Sequence, residues 1–415
     1  MNILVLSINY APEPTGFAPH TAALCEYLAN RGHSVTVITG FPFAPYWERW
    51  TEYRGKFIEH ENINNVEVVR LAHYIPRHPG RFLQRLFMEG SFCLLTALIL
   101  SFQLRSDCDL IVYVGAQPSI AMLARLIARL RRVPYVVKIT DLAAQAAADV
   151  GIIKARWLKQ ILANFEYSAY SQSSGAIVLC AGFEEALIAH QYPPDRIRII
   201  PDSVDLELIQ PVPSGHFFRK EHHLLPDDFV VLYSGSMGLK QGLTNVVDAA
   251  QLLKDSCPNV KWVLVGDGEL KPVVQERVAK YNLAKQMRLL PLQPKDQMSA
   301  MFSSADVLLL NQVSQMKDTV IPSKLLTYMA AGRIVLAAVN PTSQAAVLLR
   351  ASKGGIIVKP EDPAALAAAV RQLYADPVTL QEMGQRNRKY AEKCFDQRQI
   401  VPAQEAFIYE VVNKS

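Results

Sequence analysis

Cysteine pairs are missing from this sequence. Its six cysteines (Cys25, Cys93, Cys108, Cys180, Cys257 and Cys394) stand singly among 415 residues, with no C-x-x-C spacing. That argues against a zinc site and a disulfide framework, and it fits a reducing cytoplasm. There is no G-x-S-x-G, and the nine histidines show no ligand pair at helical spacing, so neither a serine nucleophile nor a bound metal is expected. The opening Met1-Asn2-Ile3-Leu4-Val5-Leu6-Ser7 has no basic n-region and no cleavage site, and its apolar run reads as a first core strand. No low-complexity run or short repeat occurs. The continuous apolar stretch 92–102 falls well short of the roughly 20 residues that a bilayer span needs.

The residues present describe a large globular chain. With 50% hydrophobic and 20% charged residues, it is too long for one core and suits two domains of about 200 residues each. The net charge of +5 is mild but unevenly placed: between Arg77 and Arg132 there are eight arginines against Glu89, Asp107 and Asp109. Arg77, Arg81 and Arg85 precede the apolar stretch, which leaves two readings of segment 77–104. It lies in a membrane interface with arginines on anionic head groups, or it is a buried helix with arginines at its wet end.

Apolar β-rich runs at 3–8, 35–39, 66–71, 110–114, 135–139, 176–179 and 197–200 alternate with helical patterns at 18–31, 120–131, 154–171 and 181–190. The second half repeats this, with strands at 230–233, 261–265, 287–290, 307–310, 334–338 and 355–358 between helical segments. Such alternation predicts an α/β chain of two Rossmann-like halves, each a parallel sheet covered on both faces. Pro211, Pro213, Gly215 and Pro226 suggest a linker over 206–226, which separates domains 1–205 and 227–390. The tail 391–415 is expected to pack back on the first domain. Ligands of open α/β sheets bind outside the carboxyl ends of the strands, so two facing sheets imply an inter-domain cleft.

Four loops at strand ends carry the candidate chemistry. The most informative follows strand 230–233: Ser234-Gly235-Ser236-Met237-Gly238-Leu239-Lys240-Gln241-Gly242, then a helical pattern. Gly235 and Gly238 permit a tight turn close to a ligand, and the next helix would aim N–H groups and its positive dipole end at an anion. The first strand leads to a loop with Pro12, Pro14 and Gly16, equally readable as a structural turn. Strand 135–139 leads to Asp141, either a carboxylate for a substrate hydroxyl or a helix cap; Asp149 reads as a turn residue. Gly266-Asp267-Gly268 is half a dinucleotide fingerprint, because Lys271 stands where the last glycine belongs, so NAD binding is not expected. The segment from Asp318 through Ile321, Pro322, Ser323, Lys324 and Leu325 to Gly332 reads as a helix start with Ser323 as N-cap. That would leave N–H groups free from Lys324 onward, a second anion site.

With these residues placed, the chain resembles the retaining GT-B glycosyltransferases of the large family 4, nearly end to end. The matching residues are Gly235, Lys240 and Gly242, the Pro201-Asp202-Ser203-Val204-Asp205 turn (similar to the family's P-N-G-V-D), Gly266-Asp267-Gly268, Ser304-Ala305-Asp306 and the helix at 328–332. The PSK…YMAAG form, the loop at Gly235, Asp141-Leu142 and segment 81–102 look most like the branch that builds exopolysaccharide and O-antigen repeat units, of the colanic acid fucosyltransferase type. The resemblance implies a nucleotide-diphosphate sugar bound by the second domain. It also implies an acceptor saccharide, on a polyprenyl diphosphate, bound by the first domain at the inner face of the plasma membrane. It implies no cofactor, no metal and no nucleic-acid partner. Together with the loops, it places Asp141, Lys240 and Lys324 in the chemistry. The donor would meet Gly16, Gly235, Ser236, Gly238, Gly242, Gly266, Gly268, Leu290, Asp318, Ile321, Pro322, Ser323, Leu325 and Thr327.

Three features depart from the family pattern. Its phosphate arginine, one residue after Gly235, is Ser236. Its lysine before the loop's last glycine is Gln241, with Lys240 shifted by one. Its two glutamates eight residues apart are Thr319 and Thr327. Two other classes therefore stay open: a sugar-nucleotide epimerase on the same two-domain fold, and a non-catalytic nucleotide-sugar-binding subunit.

Overall fold

The computed structural model describes residues 1–14, 16–102, 108–144, 155–212, 215–316 and 322–414. The chain divides into two compact α/β units, Met1–Asp202 with Arg398–Ser415, and Ser203–Gln397.

The first unit is built on an eight-stranded sheet. Its strands are β1 (Asn2–Leu6), β2 (Ser34–Gly40), β3 (Ile58–Ile63), β4 (Val66–Leu71), β5 (Leu110–Gly115), β6 (Tyr135–Ile139), β7 (Gly175–Val178) and β8 (Ile197–Ile199), in the order β3-β4-β2-β1-β5-β6-β7-β8. All neighbouring pairs are parallel except β3 with β4, which is antiparallel. Strands such as Leu110-Ile111-Val112-Tyr113-Val114 are buried along their whole length, as a parallel sheet between two helical layers requires. One layer holds α1 (Ala18–Asn30) and the last helix, Gln397–Lys414, whose Val401, Phe407, Ile408 and Val411 share a core with Leu24 and Leu28 of α1. The helices α2 (Phe82–Phe102), α3 (Pro118–Arg131) and α4 (Arg156–Tyr170) follow β4, β5 and β6.

The second unit holds a six-stranded parallel sheet: β9 (Phe229–Ser234), β10 (Val260–Val265), β11 (Met287–Leu290), β12 (Val307–Asn311), β13 (Ile334–Ala338) and β14 (Gly355–Val358), in the order β11-β10-β9-β12-β13-β14. Alternate residues serve opposite faces. Val230 and Leu232 enter one core with Met329 and Leu349, while Val231 and Tyr233 enter the other with Val247 and Leu366.

Two expected boundaries change. The stretch 206–226 is no free linker: it carries the helix Gly215–Glu221, and Leu206, Ile209, Phe218 and Leu224 are buried in the second unit's core. Ser299 Oγ donates to Leu208 O (2.6 Å), and Arg388 Nη1 donates to Ile209 O (2.7 Å). Its prolines and charges read as a connector, but its apolar residues are spaced to reach the sheet-covering helices. Residues 391–397 also stay with the second unit, where Val204 N donates to Phe395 O (2.8 Å).

Candidate functional site

In the second unit, the loops that leave β9 and β10 lie backbone against backbone. Gly235 N donates to Val265 O (2.9 Å), Met237 N to Asp267 O (2.7 Å) and Leu270 N to Met237 O (2.8 Å). Gly235 takes φ +136° and Gly266 φ +147°, and a Cβ on Gly266 would sit 2.0 Å from Gly235 O. Only glycine fits there, for backbone conformation and for space. Gly266 N donates to Leu290 O (2.9 Å), so the candidate Leu290 holds this loop through its carbonyl. Gly268 N meets Asp267 Oδ1 (2.8 Å), and Lys271 Nζ pairs with Asp267 Oδ2 (2.6 Å). The lysine in the last glycine's place therefore locks the β10 loop.

Lys324 reaches this loop from the helix Ser323–Ala330. Its Nζ donates to Tyr233 Oη (2.6 Å) and lies 4.1 Å from the centre of the Tyr233 ring. A Cβ on Gly235 would be 3.1 Å from that Nζ. Burial pushes the ammonium down to about 7. No carboxylate pairs with it among the described residues. Tyr233 Oη in turn donates to Ser236 O (2.5 Å), and Tyr328 Oη both accepts from Ser234 N (2.8 Å) and donates to Ser234 O (3.1 Å). Two buried tyrosines thus hold the glycine loop and the lysine in one arrangement. Sequence reasoning missed both, because an aromatic at a strand end or in a helix reads as core.

The rest of the loop is tied down by amides. Gln241 Oε1 accepts from Gly238 N (3.1 Å), and Asn311 Nδ2 donates to Gln241 O (2.6 Å) and Gly242 O (3.1 Å). Gln241 therefore braces the loop where the family pattern has a lysine. Lys240 is half-buried in the short turn Leu239–Gln241, and its carbonyl accepts from Val313 N (3.0 Å). Ser236 is exposed.

Two expectations about helix ends are corrected. Ser323 is the first helical residue and the cap position belongs to Pro322; Leu325 N is already taken by Pro322 O (2.8 Å), so the expected run of free N–H groups does not extend past Lys324. The helix after the glycine loop starts at Thr244, and Asn245 N is likewise taken, by Gly242 O (3.1 Å). Lys324 is accordingly the buried cationic side chain that lies against the glycine loop. Thr327 Oγ1 makes a long bond to Ser323 O (3.4 Å) within its own helix. Asp318, Thr319 and Ile321 lie outside the described residues, as does Asp149. Asp306 of the Ser304-Ala305-Asp306 segment is a strut, accepting from Val230 N (2.7 Å) and Arg219 Nη2 (2.8 Å).

In the first unit, Asp141 follows β6, and Glu166 of α4 holds its loop by accepting from Ala143 N (2.8 Å), Ala144 N (3.1 Å) and Tyr170 Oη (3.2 Å). Burial, against the pull of those N–H groups and with the Asp141 charge beside it, pushes Glu166 up to about 7. At the same strand ends, buried Lys138 lies 3.1 Å from Asp202 and His20 3.8 Å from it. Burial alone would raise Asp202, but the His20 and Lys138 charges outweigh it and hold the carboxyl below its ordinary value. Glu166, Lys138 and His20 carry no local sequence signal, whereas Asp202 belongs to the Pro201–Asp205 turn already singled out in the sequence. Gly16 takes φ +66° in an open turn, where a Cβ would meet nothing within 4 Å.

Residues 15–202 match the family Glycosyl transferase 4-like domain, and residues 216–391 match Glycosyl transferases group 1. The putative colanic acid biosynthesis glycosyl transferase WcaI of Escherichia coli K12 is 30% identical over 407 residues, 97% of this chain and 98% of its own length. The chain belongs to the group 1 glycosyltransferases. Its fold agrees with this family's two-domain GT-B architecture: sucrose-phosphate synthase from Thermosynechococcus elongatus superposes with a TM-score of 0.78 at 18% identity, with 100% of both chains covered. Anabaena HepE, solved with UDP-glucose, gives 0.73 at 15% identity over 99% of this chain and 100% of its own. In this group 1 glycosyltransferase the glycine loops and Lys324 all belong to the matched 216–391 region.

Proposed function

We propose that the chain transfers a sugar from a nucleotide-diphosphate sugar to a saccharide carried on a polyprenyl diphosphate, in the assembly of a cell-surface polysaccharide. The observation that carries this is the Lys324 ammonium, desolvated against Tyr233 and lying over the Gly235 backbone with no carboxylate pair among the described residues. A diphosphate is an anion suited to this ammonium. HepE, of the same fold, was solved with UDP-glucose, and WcaI's name refers to colanic acid biosynthesis, which supports the donor class and the type of product.

In this reading Lys324, with Lys240, stabilises the charge that develops on the departing diphosphate, and no metal is required. The departing phosphate oxygen takes the acceptor proton, with retention at the anomeric carbon, while Asp141 orients the acceptor. The protein works in the cytoplasm, peripherally at the inner face of the plasma membrane, with segment 77–104 against the lipid.

The test is a thermal-shift screen of UDP-, GDP- and dTDP-sugars on the wild type and on Lys324→Ala and Lys240→Ala. One nucleotide should stabilise the wild type and both variants should bind it more weakly while folded. Unchanged affinity in both variants would sink the donor assignment, and product linkage decides retention against inversion. An epimerised free nucleotide sugar would favour the epimerase reading.

A further inference from the structure

The membrane contact is wider than segment 77–104: we propose that α2, α3 and α4 together form an apolar face that docks on an anionic phospholipid bilayer without crossing it. This rests on the peripheral-membrane reading above and adds to it two further helices.

The outer face of α2 is apolar where a water-facing helix would be polar. Its inward stripe, Met88, Phe92, Thr96 and Ile99, is buried, yet Leu83, Phe87, Leu94 and Leu98 form a second stripe turned outward, with Phe87 67% and Leu94 62% exposed. No charged residue occurs from 90 to 102. On α3, Leu126 and Leu130 stand exposed one turn apart. On α4, Trp157 (67% exposed), Ile161 and Phe165 stand exposed at three successive turns.

Topology puts these stripes on one surface. The steps β4 to β5, β5 to β6 and β6 to β7 all run in the same direction along the sheet. Right-handed crossovers therefore place α2, α3 and α4 on the same face, with α3 packed against both neighbours. Polar clips lie between the helices: Ser119 Oγ donates to Glu89 Oε2 (2.7 Å), and Arg125 Nε donates to Gln172 Oε1 (3.0 Å).

Charge selects the occupant. The three helices contain two carboxylates, Glu89 and Glu166; Glu89 is held by Ser119 and Glu166 is buried under the Asp141 loop. Arg81, Arg85, Arg129 and Arg132, by contrast, are exposed at the rim. A basic rim around an apolar face suits acidic head groups over acyl chains. A second copy of this chain would bring the same arginines together. Packing favours docking over crossing: 82–101 has the length and a mean hydropathy of 1.4, but the Phe92 ring meets His73 (6.2 Å) and Ser91 Oγ accepts from Tyr74 N (2.9 Å), which ties the helix to the first unit.

The test is co-sedimentation of the full chain with vesicles of phosphatidylcholine alone or mixed with phosphatidylglycerol. Binding should require phosphatidylglycerol and weaken with salt, and brominated acyl chains should quench the Trp157 fluorescence that Trp157→Phe removes. The triple change Trp157→Ser, Ile161→Ser and Phe165→Ser should lower partitioning on the order of tenfold or more, and Arg81→Gln with Arg85→Gln about tenfold. Circular dichroism and nucleotide-induced stabilisation should stay as in the wild type. Three results would overturn the proposal: a folded triple variant that partitions like the wild type, equal binding to neutral vesicles, or a solution dimer that the triple variant dissolves. Transfer to a water-soluble acceptor analogue is measured separately, so an active enzyme that ignores vesicles sinks the docking face and leaves the transferase reading intact.

Discussion

Gly266 is placed so that a Cβ would fall 2.0 Å from the carbonyl oxygen of Gly235. The two residues directly follow neighbouring parallel strands, β9 and β10. Their contact makes the two glycine loops one layer of backbone, and Lys324 is positioned against that layer. The geometry of this layer thus depends on a contact between two residues that have no side chains.

Gly266→Ala should therefore cost about 3 kcal/mol or more, since both the conformation and the clash oppose it. Gly16→Ala meets only the conformational penalty and should cost about 1 kcal/mol. Chemical denaturation of both variants checks the contrast. Nucleotide titration of folded Gly266→Ala should also show lost affinity, because the Gly235 backbone has to move.

If the proposed donor site is right, Lys324 should make nucleotide binding depend on pH. Its ammonium titrates at about 7 in the free protein, from an ordinary value near 10.5. An anion beside it favours the charged form, so binding raises the value again and takes up a proton. Affinity should fall as pH rises above about 7, by up to about tenfold per unit. Calorimetry at pH 8 in buffers of different ionisation enthalpy should detect the proton uptake, which Lys324→Ala abolishes.

The parallel strands are legible in the sequence because burial on both faces demands unbroken apolar runs, as in Val230-Val231-Leu232-Tyr233. The antiparallel edge strand β3 escapes such reading: Ile58-Glu59-His60-Glu61-Asn62-Ile63 alternates with charge and is only half-buried. The glycine loops are legible because their constraint is local. The roles of Tyr328, 94 residues from the Ser234 amide it binds, and of Glu166, 23 residues from Ala143, depend on tertiary contacts. Gln241 is the instructive case: the family comparison marks it as a lost charge, and only the bond to Gly238 N shows what it does.

Phe218 tests whether 206–226 belongs to the second unit's core. Its ring is 3% exposed and packs on His222 at 4.3 Å between centroids. Phe218→Ala should cost about 3 kcal/mol, whereas a residue in a free connector would cost almost nothing. Urea denaturation followed through Trp262, buried in the second unit, gives the measurement.

Glu166 should give the first unit a stability that falls as pH rises. Its carboxyl is raised from the ordinary value near 4.5 to about 7, so between these values the folded protein holds a proton that the unfolded chain has released. The favourable contribution is complete below about 4.5, is lost as pH rises to about 7, and is constant above that. Glu166→Gln keeps one acceptor for the Ala143 and Ala144 amides and cannot ionise. It should start less stable than the wild type at pH 5 and close the gap by several degrees in Tm by pH 8. A parallel offset across that range would mean that Glu166 stays ionised throughout. If Asp141 depends on this loop, transfer should show an altered pH profile in Glu166→Gln with nucleotide affinity unchanged.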